Sequence, residues 1–348
     1  MKILNSKGEE IRLTPREQRV AEINQRMCNA LGYEINITTL TTIIKKVSEQ
    51  KFFEIPPADY IPVRVGEGAW STNLVTYRSY AIADDFATGI LNTGGNNARL
   101  ANADAAVDSV PVKVQNWAKG IGWSLFDLEF AAKSGNWDLV TAKEHARKKN
   151  WDLGIQKIAF LGLTNDSQTL GLFQQSASTG VTVNTTTITS PVSTLSVANL
   201  KTFCATILNV YRANCNRTAW PTHFIMPESD FLGLASPASA DFPIRSTLSL
   251  LEETFQVMCK NPKFKILPCA YGDGAYNSSV LAGAGNGVQV YALLNYDEES
   301  LRMDIPVDYT ATLANSLDNF SFQNAAYGQT TGVVPYRPSE LLLFQYND

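Results

Sequence analysis

The residues whose types could support chemistry are two histidines, five cysteines, the acid pairs Asp84-Asp85 and Glu298-Glu299, and the glycine run from Gly283 to Gly287. His145 falls in a long helical pattern and His223 in the apolar run HFIMP, residues 223–227. Neutral imidazole is readily buried with a single partner, so His223 reads as a core residue and His145 as a surface or interface residue. No Cys, His and acid set stands at metal-ligand spacing, and neither a G-x-S-x-G elbow nor a Walker loop occurs. The run GAGNG, Gly283 to Gly287, lacks dinucleotide-binding spacing and precedes a strand, so no helix N-terminus would face a phosphate. Asp84-Asp85 and Glu298-Glu299 are adjacent pairs on loops or turns, which is the pattern of a solvated acidic tip. Cys28, Cys204, Cys215, Cys259 and Cys269 include no C-x-x-C pair, and their odd number reads as reduced cytosolic thiols. Cys204 and Cys215 would lie about 16 Å apart along one helix, too far to bridge. This inventory supplies no catalytic residue, no cofactor-binding residue and no metal ligand, so no enzyme is expected.

Composition points the same way. Of 348 residues, 45% are hydrophobic, enough for a sizeable core, while only 18% are charged. The low charge implies that much surface is covered by something, other subunits being one such cover. A net charge of −4 argues against a dedicated nucleic-acid binder, which would show a basic face. The N-terminus is charged and has no apolar signal core. No window approaches the roughly 18 apolar residues of a membrane helix, so no membrane is expected.

The elements that must position these residues are organised around 124–161. A short helix, Leu125 to Lys133, ends at Ser134-Gly135-Asn136; a second starts near Asp138 and runs to Gly162. Leu139, Ala142, Ala146, Leu153 and Phe160 make its expected apolar stripe, and Arg147, Lys148 and Lys149 an expected solvated or interface-facing patch. Residues 1–57 read as a polar, mostly helical arm. From Ile61 the pattern turns strand-like, and two such runs flank a tip from Asp84 to Ser109, which suggests an extended hairpin. Phe86, Ile90, Leu91 and Leu100 are scattered through that tip among Gly, Ala and Asn, too thinly to close a core. Further on, Val197, Leu200, Phe203, Cys204, Ile207, Leu208 and Tyr211 share one helical face. Helices at 228–236 and 246–258 alternate with strands at 223–227, 263–272 and 287–296, a sheet flanked by helices. The fold class is α+β.

In this order the parts resemble the major capsid proteins of tailed phages, the Hong Kong phage capsid fold shared with encapsulins. The resemblance rests on GIGWSLFDLEFAAKSG with the long helix after it, IAFLG followed by the GLF of Gly171 to Phe173, HFIMPESDFLGLAS, and GVVPYRPSELLLF with Arg337-Pro338. YAIADDFATGILNTGGNN resembles the extended loop of a subgroup of such capsids. It implies an N-terminal arm at 1–57, an extended loop at 58–118, a peripheral domain at 119–195 and 300–348, and an axial domain at 196–299. It implies self-assembly as pentamers and hexamers into an icosahedral shell around a phage genome, in a virion assembled in the host cytoplasm. Subunit contacts would come from Phe86, Ile90, Leu91 and Leu100 at the loop tip, and from Tyr271 and Tyr276 in the axial loops. Partners would be other copies, a portal, scaffold or decoration proteins, and packaged double-stranded DNA without sequence-specific contact. The tip holds no lysine for the loop crosslink that some members form. An encapsulin-like nanocompartment shell is the alternative within the fold. Outside it stand an enzyme with an unfamiliar site and an adhesin or tail component, suggested by the Ser/Thr-rich stretch 176–199.

Overall fold

A computed structural model describes residues 3–4, 10–11, 53–82, 104–135, 138–163, 166–237, 245–280, 287–316, 318 and 320–347. The chain divides into two units, residues 1–50 and 51–348. In the first, β1 (Ile3–Leu4) pairs antiparallel with β2 (Glu10–Ile11). The start of the expected helical arm is thus a strand pair, and the helical candidates between Thr14 and Gln50 lie outside the described residues.

The second unit begins with β3 (Val63–Val65), β4 (Asn73–Ile82), β5 (Asp104–Lys113), β6 (Gln115–Ser124), α1 (Leu125–Gly135) and the long α2 (Leu139–Leu161). It continues through β7 (Thr182–Asn184), α3 (Val197–Asn214), β8 (His223–Pro227), α4 (Glu228–Gly233), α5 (Thr247–Cys259), β9 (Lys265–Cys269), α6 (Gly274–Val280) and β10 (Val288–Leu294). It closes with β11 (Leu301–Ile305), β12 (Val307–Ala311), β13 (Asn315–Ser316), β14 (Ser321–Thr330), β15 (Val333–Pro335) and β16 (Leu341–Asn347).

A five-stranded mixed sheet in the order β7-β16-β10-β8-β9 carries most of the core. Its inner strands β8, β10 and β16 are buried on both faces over most of their length, which is why HFIMP and LLLF are unbroken runs rather than alternating ones. Phe224, Met226, Tyr291, Leu293, Leu342 and Phe344 face α3 and α5. Ile225, Val290, Ala292, Leu294 and Leu343 face the last turns of α2 and the segment Ile55 to Ile61. On α3, Leu200, Cys204, Ile207, Leu208 and Tyr211 are buried, whereas Val197 and Phe203 are only half-buried. The helix is rotated so that the small Cys204, not Phe203, points at the sheet.

The long helix starts where Asp138 accepts a bond from the Thr141 N–H at 3.1 Å, and stops at Gly162, φ +71°. A Cβ at Gly162 would also stand 2.5 Å from the Thr169 carbonyl oxygen, so only glycine fits there. Its buried stripe differs from the expected one. Arg147, Trp151, Ile155 and Ala159 repeat every fourth residue and are buried with Gln156 and Phe160, while Ala146 is exposed and Leu139, Ala142 and Leu153 half-buried. Arg147 therefore does not belong to a solvated patch. Its guanidinium donates to the Tyr309 hydroxyl at 2.9 Å and to the Asn324 carbonyl and side-chain oxygens at 3.1 and 2.9 Å. Bonding of this kind offsets the cost of burying a cation, and a charged residue opening the stripe hid its period. Trp151 lies against Gly328, where a Cβ would come within 2.4 Å of the indole.

β6 pairs with β14 from Gln115↔Thr330 to Ser124↔Ser321, and β12 and β13 flank β14 on its other side. β11 joins β15 and, in parallel, β3. β4 and β5 form the expected hairpin, paired from Asn73↔Lys113 to Ile82↔Asp104. Residues 104–109, expected in the tip, are thus ladder, because β4 supplies the partners. Residues 83–103, with Asp84, Asp85, Phe86, Ile90, Leu91 and Leu100, lie outside the described residues.

Candidate functional site

Of the groups that could do chemistry, His223 and the four described cysteines are buried. His223 is 7% exposed, with Nδ1 3.0 Å from the Thr222 hydroxyl and its ring 4.9 Å from that of Tyr296. Burial, reinforced by Lys265, pushes its pKa down to about 4, so the imidazole is neutral at pH 7. His145 is exposed on α2. Cys204, Cys215, Cys259 and Cys269 are buried free thiols, and burial pushes the first, third and fourth up to about 12. Glu298 and Glu299 sit on an exposed turn; Glu299 pairs with Arg337, which also lies 3.8 Å from Asp297 and 3.6 Å from Glu340. Among the described residues, no three His, Cys, Asp or Glu converge as a metal set. No helix among them is long and apolar enough to cross a membrane.

The features left over are surfaces. The hairpin turns Leu74, Thr76, Val110 and Val112 toward the body, where the Thr76 hydroxyl meets that of Tyr336 at 3.4 Å. Its other face leaves Val75, Tyr77 and Val107 at 51%, 72% and 65% exposure. The hairpin's root is fixed by polar bonds. Lys113 Nζ meets the Asp166 carboxylate at 2.8 Å, and Gln115 donates to the same carboxylate and to the Thr169 hydroxyl at 3.0 Å. The Lys113 ammonium and the Gln168 N–H hold the Asp166 pKa below the usual carboxylate value.

A second junction lies at the start of the second unit. The buried Gln156 accepts from the Ile55 N–H at 3.0 Å and donates to the Tyr271 hydroxyl at 2.8 Å and the Phe53 carbonyl at 3.4 Å. Lys149 pairs with Glu54, and Phe53 packs edge-on against Tyr276 at 6.0 Å. Tyr271, expected at a subunit contact, is instead a core residue. It is 4% exposed and stacks on Phe160 at 5.2 Å, because the turn after β9 folds it onto α2. Tyr276 is half-buried between Tyr271 and Phe53. Gln156 escaped the sequence reading; a single amide in the apolar stretch that ends α2 is the signal that marks it.

With this geometry in view, the chain can be set beside known proteins. The family described as "Major capsid protein" matches residues 89–346. The capsid of Myoviridae phage XM1 has the same fold, with TM-score 0.71 and 16% identity over 90% of this chain and 99% of that one. A protein of Mycobacterium phage Bobi aligns with TM-score 0.56 and 10% identity, covering 90% and 97% of the two chains. The capsid of a native GTA particle gives TM-score 0.53 and 12% identity over 90% and 98%. No curated protein matches the sequence. At these identities the structural likeness is one of fold, that of tailed-phage capsid proteins; the family match spans most of the chain, and with it the chain belongs to the major capsid protein family, as a structural subunit of a shell built from many copies.

Proposed function

We propose that this chain tiles, as pentamers and hexamers, the icosahedral shell around the double-stranded DNA of a tailed phage, and that it does so without chemistry of its own. The observation that carries this reading is the hairpin of β4 and β5, paired over its full length with one face left in water. A two-stranded ribbon is marginal alone in water, so a long one with an apolar outer face calls for a neighbour. Residues 58–118 act as the extended loop and 1–57 as the arm, with 119–195 and 300–348 as the peripheral domain and 196–299 as the axial domain. Phe86, Ile90, Leu91 and Leu100 at the loop tip, and the half-buried Tyr276, reach neighbouring copies. The portal and scaffold or decoration proteins are further partners, assembly takes place in the host cytoplasm, and contact with DNA is independent of sequence.

The test is size-exclusion chromatography with negative-stain microscopy of the purified chain. Closed shells with five- and six-fold capsomers are expected. A monomer or small oligomer that persists across protein and salt concentrations would refute the reading. Shells that co-purify with an enzyme cargo would favour a nanocompartment instead.

A further inference from the structure

Helix α1 is capped but scarcely buried. The Ser124 N–H donates to the Asp127 carboxylate at 3.0 Å and the Asp127 N–H to the Ser124 hydroxyl at 3.1 Å, which fixes its first turn. Beyond that, only Ala131 among its described side chains is buried. Leu125, Phe126 and Phe130 point into water at 45%, 61% and 57% exposure. Phe320, 56% exposed, stacks on Phe126 at 6.3 Å, and the Leu125 N–H binds the Phe320 carbonyl at 2.9 Å, so the four side chains form one patch. Helices of this length are marginal in water without a packed face. Here the apolar face is the outer one.

We propose that this patch is a contact between copies of the chain, in which a second copy covers Phe126, Phe130 and Phe320; the proposal rests on the shell reading above. The exposed apolar area is roughly 400 Å², the size at which a patch marks an interaction site. That is about half of what one partner buries in a stable binary complex, so the patch suits one contact among several rather than a stand-alone dimer. Its rim has the charges a copy of itself can match. Asp127 stands in the first turn of α1 and Lys133 in the last, so an antiparallel neighbouring α1 sets acid against base.

The test places a thiol at the rim. Glu129, exposed on α1 one turn after Phe126, becomes the probe in a Glu129→Cys chain that also carries Cys28→Ser; the four buried thiols stay silent. Maleimide labelling should be at least about tenfold slower in closed shells than in free subunits. A Phe126→Ser/Phe130→Ser chain should fold with an unchanged circular dichroism spectrum, because both rings already face water, and its shells should come apart at lower urea. Equal labelling rates in well-formed shells, or serine-variant shells of undiminished stability, would overturn the patch and leave the shell reading standing. Protection already present in free subunits would mean that the chain's own arm covers the patch, and protection that needs other virion proteins would mean a foreign partner; either overturns the proposal. If the Cys28→Ser chain forms no shells, the shell reading falls and the patch falls with it.

Discussion

Replacing Gln156 by leucine tests whether one amide ties the entry of the second unit to the core. Leucine has nearly the same volume, so little cavity is opened, but two buried groups lose a partner: the Ile55 N–H, and the Tyr271 hydroxyl, which keeps its bond with Tyr276. An orphaned buried polar group costs about 1–3 kcal/mol and a lost bond to a group that keeps another about 0.5–1.5, so Gln156→Leu should destabilise the subunit by roughly 1.5–4.5 kcal/mol. Tyr271→Phe removes the hydroxyl. In the leucine background it should cost about 0.5–1.5 kcal/mol less than in the wild-type chain, where it also takes away the bond to Gln156. The assay is urea unfolding of free subunits followed by tryptophan fluorescence, run as a double-mutant cycle. The Phe53 carbonyl shares the amide, so limited proteolysis near Phe53 should also accelerate in the variant. A Gln156→Leu chain within about 0.5 kcal/mol of wild type, or a Tyr271→Phe change with the same sign and size in both backgrounds, would refute the reasoning.

Three other outcomes are expected. His223 is neutral in the folded chain with its pKa lowered to about 4, so the unfolded chain binds more protons between that value and the ordinary 6.5. Stability is therefore full above pH 6.5 and is lost as pH falls toward 4, by up to about 3 kcal/mol, and a His223→Gln chain should lack that part of the acid sensitivity in urea titrations. Leu200→Ala should cost about 2–5 kcal/mol, and Phe203→Ala clearly less than the 3–5 of a buried phenylalanine, because Leu200 is buried and Phe203 only half so; equal and large losses in unfolding experiments would contradict the orientation of α3. Arg147→Ala should destabilise by about 2–4 kcal/mol, whereas exposed Lys148→Ala should stay within about 0.5 kcal/mol, as compared by thermal melts.

What could be read from the sequence, and what could not, follows from how each element is stabilised. The hairpin, the three strands β8, β9 and β10 of the five-stranded sheet and the long helix announce themselves through periodicity and breakers, because their strands and caps are local devices. Ser134-Gly135-Asn136, Asp138 and Gly162 bracket two helices to within two residues. The rotation of α2 does not announce itself. Its buried face includes Arg147 and Gln156, whose burial depends on Asn324, Tyr309, Ile55 and Tyr271, residues roughly 100 or more positions away in the chain. A charged or amide side chain counts as exposed in any pattern until its distant partners are known. Tyr271 fails for the opposite reason: a tyrosine beside a glycine in a loop looks available, but the turn after β9 stacks it on Phe160.

The exposed apolar side chains then fit the low charge content of the chain. Val75, Tyr77 and Val107 together offer roughly 300 Å² to a neighbour, a gross gain of about 7 kcal/mol at 25 cal/mol per Å². Joining two free subunits costs roughly 4–15 kcal/mol in lost translation and rotation before any loop is ordered. One hairpin contact therefore does not hold a pair together. In a closed shell each copy meets several neighbours while losing its freedom once, so the later contacts add nearly their full value. Assembly should accordingly show a sharp threshold in subunit concentration, with free subunits and whole shells but few intermediates. Weak single contacts also let a misplaced subunit leave before the shell closes.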